Sequence, residues 1–372
     1  MKTIQAYAKS LHFVTCLLVL WGLMTCQLRA EQVSLSGTQL RSIHSEHTAQ
    51  DYQLLINLPQ GFDSSKSYPV IYVLDAQWDF PLISATYGQL YYDGFVPAAV
   101  VVGITWGKDD DPNVKRVRDF TPSKVDGQTG SGGAANFLKF IKTELIPFVQ
   151  KEYGDNGQRV LIGSSLGGLF TLYSLFHEPQ LFSAYLPSAS ASGWDNQVLY
   201  QLAKSQDASF RAALLRRPIK LYSAVGELDD LKADFTRLQR FFAQQDYSGL
   251  ALNTEVIPDL GHAGIKSVAN LRGLQYAFQQ ANLPLSVDDV RGLLGQYQSA
   301  DGAQTVTLSW QDGQLILIRQ QQKIQGFRYA GDHQFYQHGH FYRLKFDQSA
   351  ANTPILTIER FAGVETLHKI RP

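Results

Sequence analysis

The chain has 372 residues, 44% hydrophobic and 18% charged, a globular composition with length for one large or two ordinary domains. Lys plus Arg and Asp plus Glu both number 33, so no basic surplus points to nucleic acid. Cys16 and Cys26 are the only cysteines, which leaves little scope for a disulfide framework.

Lys2 and Lys9 precede an apolar stretch from Leu11 to Met24, polar sequence begins near Gln27, and Ala30 is small. That pattern predicts a secretory signal peptide over residues 1–30, hence a periplasmic or secreted protein. The apolar run falls short of the ~20 residues of a spanning helix, so no stable membrane insertion is expected after cleavage. Leu23-Met24-Thr25-Cys26 faintly resembles a bacterial lipoprotein signal, but Thr25 stands where Gly, Ala or Ser is preferred. Cleavage after Ala30 removes Lys2, Lys9, Arg29 and both cysteines, leaving a slightly acidic chain without thiol catalysis or cysteine-ligated metal.

Strands separated by turns are expected from Gln39 to Asp75, with Asp51–Pro59 one of them and Gly61–Ser67 a loop. Pro69–Leu74 and Pro97–Ile104 are continuous apolar runs, the mark of strands covered on both faces. Phe137, Phe140, Ile141, Leu145 and Ile146 recur at helical spacing, predicting a helix over 134–153. Arg159–Ile162 is a short apolar strand leading into Gly163-Ser164-Ser165-Leu166-Gly167-Gly168. The apolar segment Leu169–Phe176 after it has the spacing of a buried helix. Further strands are expected at Phe182–Leu186, Ile219–Val225 and Leu252–Ile257, and helices at Gln197–Ser205, Ala233–Gln245 and Ile265–Gln280. Buried strands alternating with helices predict an α/β fold, a mostly parallel sheet with helices on both faces. After Leu283 the texture changes. Thr305–Trp310 and Gln314–Arg319 flank the hairpin signal Gln311-Asp312-Gly313, and alternating strands follow at Phe341–Phe346, Ile355–Ile358 and Glu365–Ile370. The expected domains are therefore 31–283, α/β, and 288–372, small, antiparallel and all-β.

Strand, tight Gly-x-Ser-x-Gly turn and helix is the context of a nucleophile elbow, which makes Ser165 the candidate nucleophile. The backbone N–H of Leu166, at the helix start, is a candidate oxyanion donor. A serine hydroxyl needs a base, usually a histidine oriented by a carboxylate, and in this fold class the chain order is serine, acid, histidine. His262 alone follows a strand on a glycine-flanked loop after Ser165. His177 lies too close to the elbow, and His333, His338, His340 and His368 fall in the β region. The acid is expected after Ile219–Val225; Asp229 is the choice, with Glu227 and Asp230 as competitors. A second oxyanion donor is expected in the strand-exit turn Asp75-Ala76-Gln77-Trp78, with the N–H of Gln77 nominated. Asp109–Asn113 reads as solvated turn sequence rather than a cation loop. His333, His338 and His340 read as strand and turn rather than a metal site. Trp78, Phe80, Tyr87, Tyr91, Tyr92 and Trp106 are candidates for an aryl or acyl pocket, and equally for core.

From about Leu40 to Gln279 these motifs resemble the α/β-hydrolase esterase family that includes esterase D, enterochelin and other siderophore esterases, feruloyl esterases and mycolyltransferases. The residues that carry the likeness are Tyr68–Ala76, Val102-Gly103-Ile104, Arg118-Asp119-Phe120-Thr121-Pro122, Gly163–Phe170, Gly226–Asp229 and Gly261-His262. The resemblance implies Ser165, Asp229 and His262 as the catalytic set and Gln77 and Leu166 as oxyanion donors. It also implies that Arg118 and Asp119 lie beside the active site. Ala76 replaces a usual glycine, and Ser164 a common histidine. Leu293–Tyr297 and Phe341–Phe346 are similar to a small β domain appended to secreted β-lactamase-like serine hydrolases. The expectation is a serine carboxylesterase acting on a small ester through an acyl-enzyme, with no metal or organic cofactor. Acyl transfer of the mycolyltransferase type, and a non-catalytic binding protein, are the alternatives.

Overall fold

The computed structural model describes residues 35–370 apart from 108–109, 338, 340 and 348–353. The signal-peptide expectation, both cysteines, Asp109, His338 and His340 therefore lie outside the described residues. No helix among the described residues is long and apolar enough to cross a membrane.

The first sheet has strands β1 (Thr38–Ser45), β2 (Gln50–Asn57), β3 (Tyr68–Val73), β4 (Val100–Trp106), β5 (Asp155–Ser164), β6 (Ala184–Ser188), β7 (Ile219–Gly226) and β8 (Leu250–Ile257). Their order is β1-β2-β4-β3-β5-β6-β7-β8. β1 and β2 run antiparallel to their neighbours, and every pairing from β4 to β8 is parallel. The two-residue period of a strand sends alternate side chains to opposite faces, which explains why the central strands read as unbroken apolar runs. In β3, Val70 and Tyr72 enter one core cluster and Ile71 and Val73 the other.

Nine helices matter to the site or its support: α1 (Ala76–Tyr92), α2 (Pro112–Phe120), α3 (Ala134–Phe140), α4 (Ile146–Tyr153), α5 (Leu166–His177), α6 (Trp194–Ser205), α7 (Asp207–Arg216), α8 (Lys232–Ala243) and α9 (Ile265–Ala277). α3 and α4 are the expected helix over 134–153, joined by a π turn at Ile141–Leu145. Pro147, which cannot donate to the helix ladder, stands just beyond that turn. α6 becomes regular only after Asp195, Asn196 and Gln197, all at positive φ.

Two elements depart from the sequence reading. The Asp75–Trp78 segment is not a simple turn: Ala76 begins the long helix α1, with Asp75 in the left-handed region at φ 53° and ψ 39°. Pro81 inside that helix and its aromatic-rich sequence blur the helical period. The Asp110–Asn113 part of the expected turn is also more than turn. Asp111 caps α2 by accepting from Asn113 N–H, and Pro112 takes the first turn, where its missing N–H costs nothing.

A second, nine-stranded antiparallel sheet follows within residues 295–369. Gly295–Ser299 lies centrally, paired with Thr305–Gln311 on one side and Gly363–Lys369 on the other. Gln311 pairs with Gln314, and Asp312 and Gly313 between them have φ of 50° and 77°, the two-residue hairpin that Asp-Gly favours. One face supplies a separate core built around Tyr297, Leu317, Leu344, Phe346 and Ile358. Tyr336 of this sheet donates to Gln280 O and Ala281 O, and Leu283 N–H donates to Tyr329 O, so the junction begins near Gln280.

Candidate active site

β5 ends at Ser164 and α5 begins at Leu166, so Ser165 alone makes the turn, at φ 60° and ψ −117°. A non-glycine residue at positive φ is strained and is held only where its surroundings fix it. Ser165 N–H donates to Ser188 O at 3.0 Å, and Ser165 O accepts from Leu169 N–H at 2.9 Å and Ala191 N–H at 3.1 Å. The flanking glycines are steric necessities. A Cβ at Gly163 would collide with the Gly167 carbonyl, and one at Gly168 would stand 2.7 Å from Ser190 Oγ and 3.0 Å from Ser188 O. The turn leaves the first N–H groups of α5, Leu166 among them, without intrahelical acceptors.

α1 presents a second helix start beside the first. A Cβ on Gly167 would come within 3.2 Å of Asp75 Oδ2, which measures how closely the two turns approach. Gln77 lies in the first turn of α1, and its side chain accepts from Thr105 Oγ1 at 2.8 Å. Ala76 is fully buried, and Gly103 leaves room for it: a Cβ there would come 2.7 Å from Ala76 Cβ.

The loops after β7 and β8 cross. Glu227 N–H donates to Ile257 O at 2.9 Å and Leu228 N–H to Leu260 O at 3.0 Å, with Gly226 at the crossing because any Cβ would strike Leu260 O. The crossing sets His262 Nδ1 3.0 Å from Asp229 Oδ2 and 3.2 Å from Oδ1. The Asp229 side chain is fully buried and also accepts from Leu231 N–H at 2.9 Å, whereas the His262 ring is 47% exposed. Glu227 and Asp230 are exposed. Of the three candidate acids, Asp229 is the one brought to His262. Among the described residues no hydrogen bond joins the Ser165 hydroxyl to the His262 ring, a contact that commonly tightens only in the substrate complex.

Two ion pairs that sequence reading missed tie these loops together. Arg116 of α2 donates from Nε to Asp75 Oδ1 at 3.0 Å and from Nη2 to Asp75 Oδ2 at 2.8 Å, and Nη2 lies 3.4 Å from Ser164 O. The same guanidinium lies 5.6 Å from the ring centroid of Trp78, which is 46% exposed. Lys266, in the first turn of α9 just after the His262 loop, donates to both oxygens of Asp79 in the first turn of α1, at 2.8 and 3.1 Å. Burial pushes the Asp79 carboxyl above its usual range, and Lys266 opposes that shift.

Arg118 and Asp119 behave differently from Arg116. Arg118 pairs with its neighbour Asp119, whose buried carboxylate also accepts from Tyr52 Oη at 2.9 Å and Trp106 Nε1 at 2.8 Å. That network fastens α2 to β2 and β4. Of the aromatic candidates, Phe80, Tyr87 and Trp106 are core, while Trp78 and Tyr92 are exposed.

An α/β-hydrolase fold with a serine elbow after β5 and a His–Asp pair on the loops after β7 and β8 is the class these features define. The chain belongs to the family described as "Putative esterase", whose model matches residues 45–262. It is 27% identical over 273 residues to the ferri-bacillibactin esterase BesA of Bacillus subtilis, covering 68% of this chain and 94% of that protein. It is 31% identical over 143 residues to the siderophore triacetylfusarinine C esterase of Aspergillus fumigatus, covering 37% and 49%. The crystal structure of the BES protein from Bacillus cereus superposes with a TM-score of 0.61 at 26% identity, covering 68% of this chain and 99% of that one. The protein is thus an esterase, and about a third of it lies outside the alignment with the BES protein.

Proposed function

We propose that the protein is a secreted or periplasmic serine esterase that cleaves siderophore-type esters through an acyl-enzyme, with Ser165 as nucleophile. In this reading Ser165 Oγ attacks the ester carbonyl and passes its proton to His262 Nε2, while Asp229 accepts from Nδ1–H and stabilises the imidazolium. The N–H groups of Leu166 and Gln77 stabilise the oxyanion. His262 returns the proton to the departing alcohol, and water, activated by the same ring, releases the acid. Asp229 suits this role because burial and a fixed Leu231 N–H hold its carboxylate in one orientation.

The observation that carries the reading is the strained Ser165 turn between two helix starts, with the buried Asp229 carboxylate on His262 Nδ1. The substrate class is supported by the printed activities of the relatives, and export by the basic-then-apolar pattern of residues 1–30. The test is a panel of trilactone siderophores, aryl esters and short acyl esters on wild type and Ser165→Ala, with added alcohol acceptors to score transfer. The trilactone is expected to have the highest kcat/KM and to yield free acid, with Ser165→Ala lower by at least about a thousandfold. Preference for a simple acyl ester would overturn the substrate assignment, and ester product with the acceptor in place of free acid would overturn hydrolysis.

A further inference from the structure

A cavity of about 350 Å3 opens between the esterase domain and the C-terminal sheet. Tyr68 and Tyr91 line it from one side, and Phe341, Arg343, Glu359 and Phe361 from the other. Tyr68 begins β3, whereas Asp75 follows its far end, so the cavity lies about 20 Å from the Ser165 turn at ~3.3 Å per strand residue. Its edges are held together. The Tyr91 ring centroid is 5.1 Å from that of Phe341 and 5.8 Å from that of Phe361, and Gly339 N–H donates to Asp93 O at 3.0 Å.

Arg343 is the unusual member of this wall. Its guanidinium stands 5.2 Å from the Phe341 ring centroid, and its buried Nε has no hydrogen-bond partner among the described residues. Burial lowers its pKa, with Glu359, its cross-strand neighbour, acting the other way. The other cations on the wall have closer acids: Arg360 pairs with Glu365, and Lys66 lies 3.6 Å from Asp63. The half-buried Arg343 makes no ion pair among the described residues, Glu359 facing it across the strands, and its planar fork matches a carboxylate at two points. The aromatic walls add the faces on which a ring stacks. The volume is that of a small-molecule site.

We propose that this cavity binds a small aromatic carboxylate, its anionic group on Arg343 and its ring against Phe341, Tyr91 and Phe361. The full chain, with Ser165 first blocked by a fluorophosphonate, is titrated with 4-fluorobenzoate and with neutral 4-fluorobenzamide by fluorine NMR. Saturable binding of the benzoate is expected, at least about tenfold tighter than the amide, and Arg343→Met and Phe361→Ala should each weaken it about tenfold. No saturable binding, equal affinity for the amide, or unchanged affinity in both variants would overturn the proposal. If Arg343→Met does not fold, the amide comparison and Phe361→Ala decide. If Ser165 resists the reagent, the result counts against the proposed nucleophile alone. The titration then runs on unmodified protein against the same variants.

Discussion

Arg116 grips both carboxylate oxygens of Asp75, at 3.0 and 2.8 Å, where Asp75 turns from β3 into α1 beside the serine elbow. Asp75 is 1% exposed, and Arg116 is the charge that compensates it. Removing one partner of a buried pair leaves the other charge stranded, at a cost of about 3 kcal/mol. Arg116→Gln should therefore lower the urea midpoint measurably. It should also cut kcat/KM at least about tenfold by loosening the proposed oxyanion donors, Gln77 and Leu166, together. An unchanged midpoint and unchanged kcat/KM would remove Arg116 from this account.

Asp229→Asn keeps the shape of the side chain but not its charge, so kcat should fall by about a hundredfold to ten-thousandfold. Glu227→Gln and Asp230→Asn, both exposed, should stay within about twofold of wild type. A large loss in either of the latter, with Asp229→Asn active, would move the acid.

Much of this was legible in the sequence because the relevant signals are local. Gly163 to Gly168 announces a turn with no room for side chains, and Asp312-Gly313 announces a hairpin. Which carboxylate meets His262 was less legible: Glu227, Asp229 and Asp230 sit within four positions, and only the crossing of two distant loops selects which is buried. Arg116 and Lys266 were invisible for a similar reason. Each is one basic residue in a helix that holds others, and its partner lies across the fold, 41 and 187 positions away. Helix α1 was obscured by Pro81. For α2, the Asp111 cap and Pro112 were the available signal.

Gly163→Ala places a methyl group against the Gly167 carbonyl, which cannot yield without moving the elbow. The substitution should destabilise by about 3 kcal/mol and abolish activity. Gly168→Ala meets the rotatable Ser190 Oγ as well as Ser188 O and should be milder by about 1 kcal/mol. Equal urea midpoints for Gly163→Ala and wild type would contradict the steric argument.

His177 ends the elbow helix, stacked on Tyr173 at 3.9 Å between centroids. Burial lowers its pKa below the ordinary 6.5, with the Tyr173 carbonyl opposing the shift. In the unfolded chain the ring takes up its proton near 6.5, earlier than in the folded protein as pH falls. Stability from this residue is therefore complete above about pH 6.5 and is lost as pH falls through the depressed folded value. His177→Gln should flatten that part of the stability profile, read from urea midpoints between about pH 7 and 5. An equally steep profile in the variant would assign the dependence to other groups.

The central claim is that Ser165 is the group acylated during turnover. Incubation with a fluorophosphonate followed by peptide mass spectrometry should place one adduct on Ser165, with loss of esterase activity in proportion to labelling. Ser165→Ala should take up no label. An adduct on another residue, or wild-type hydrolysis by Ser165→Ala, would contradict it.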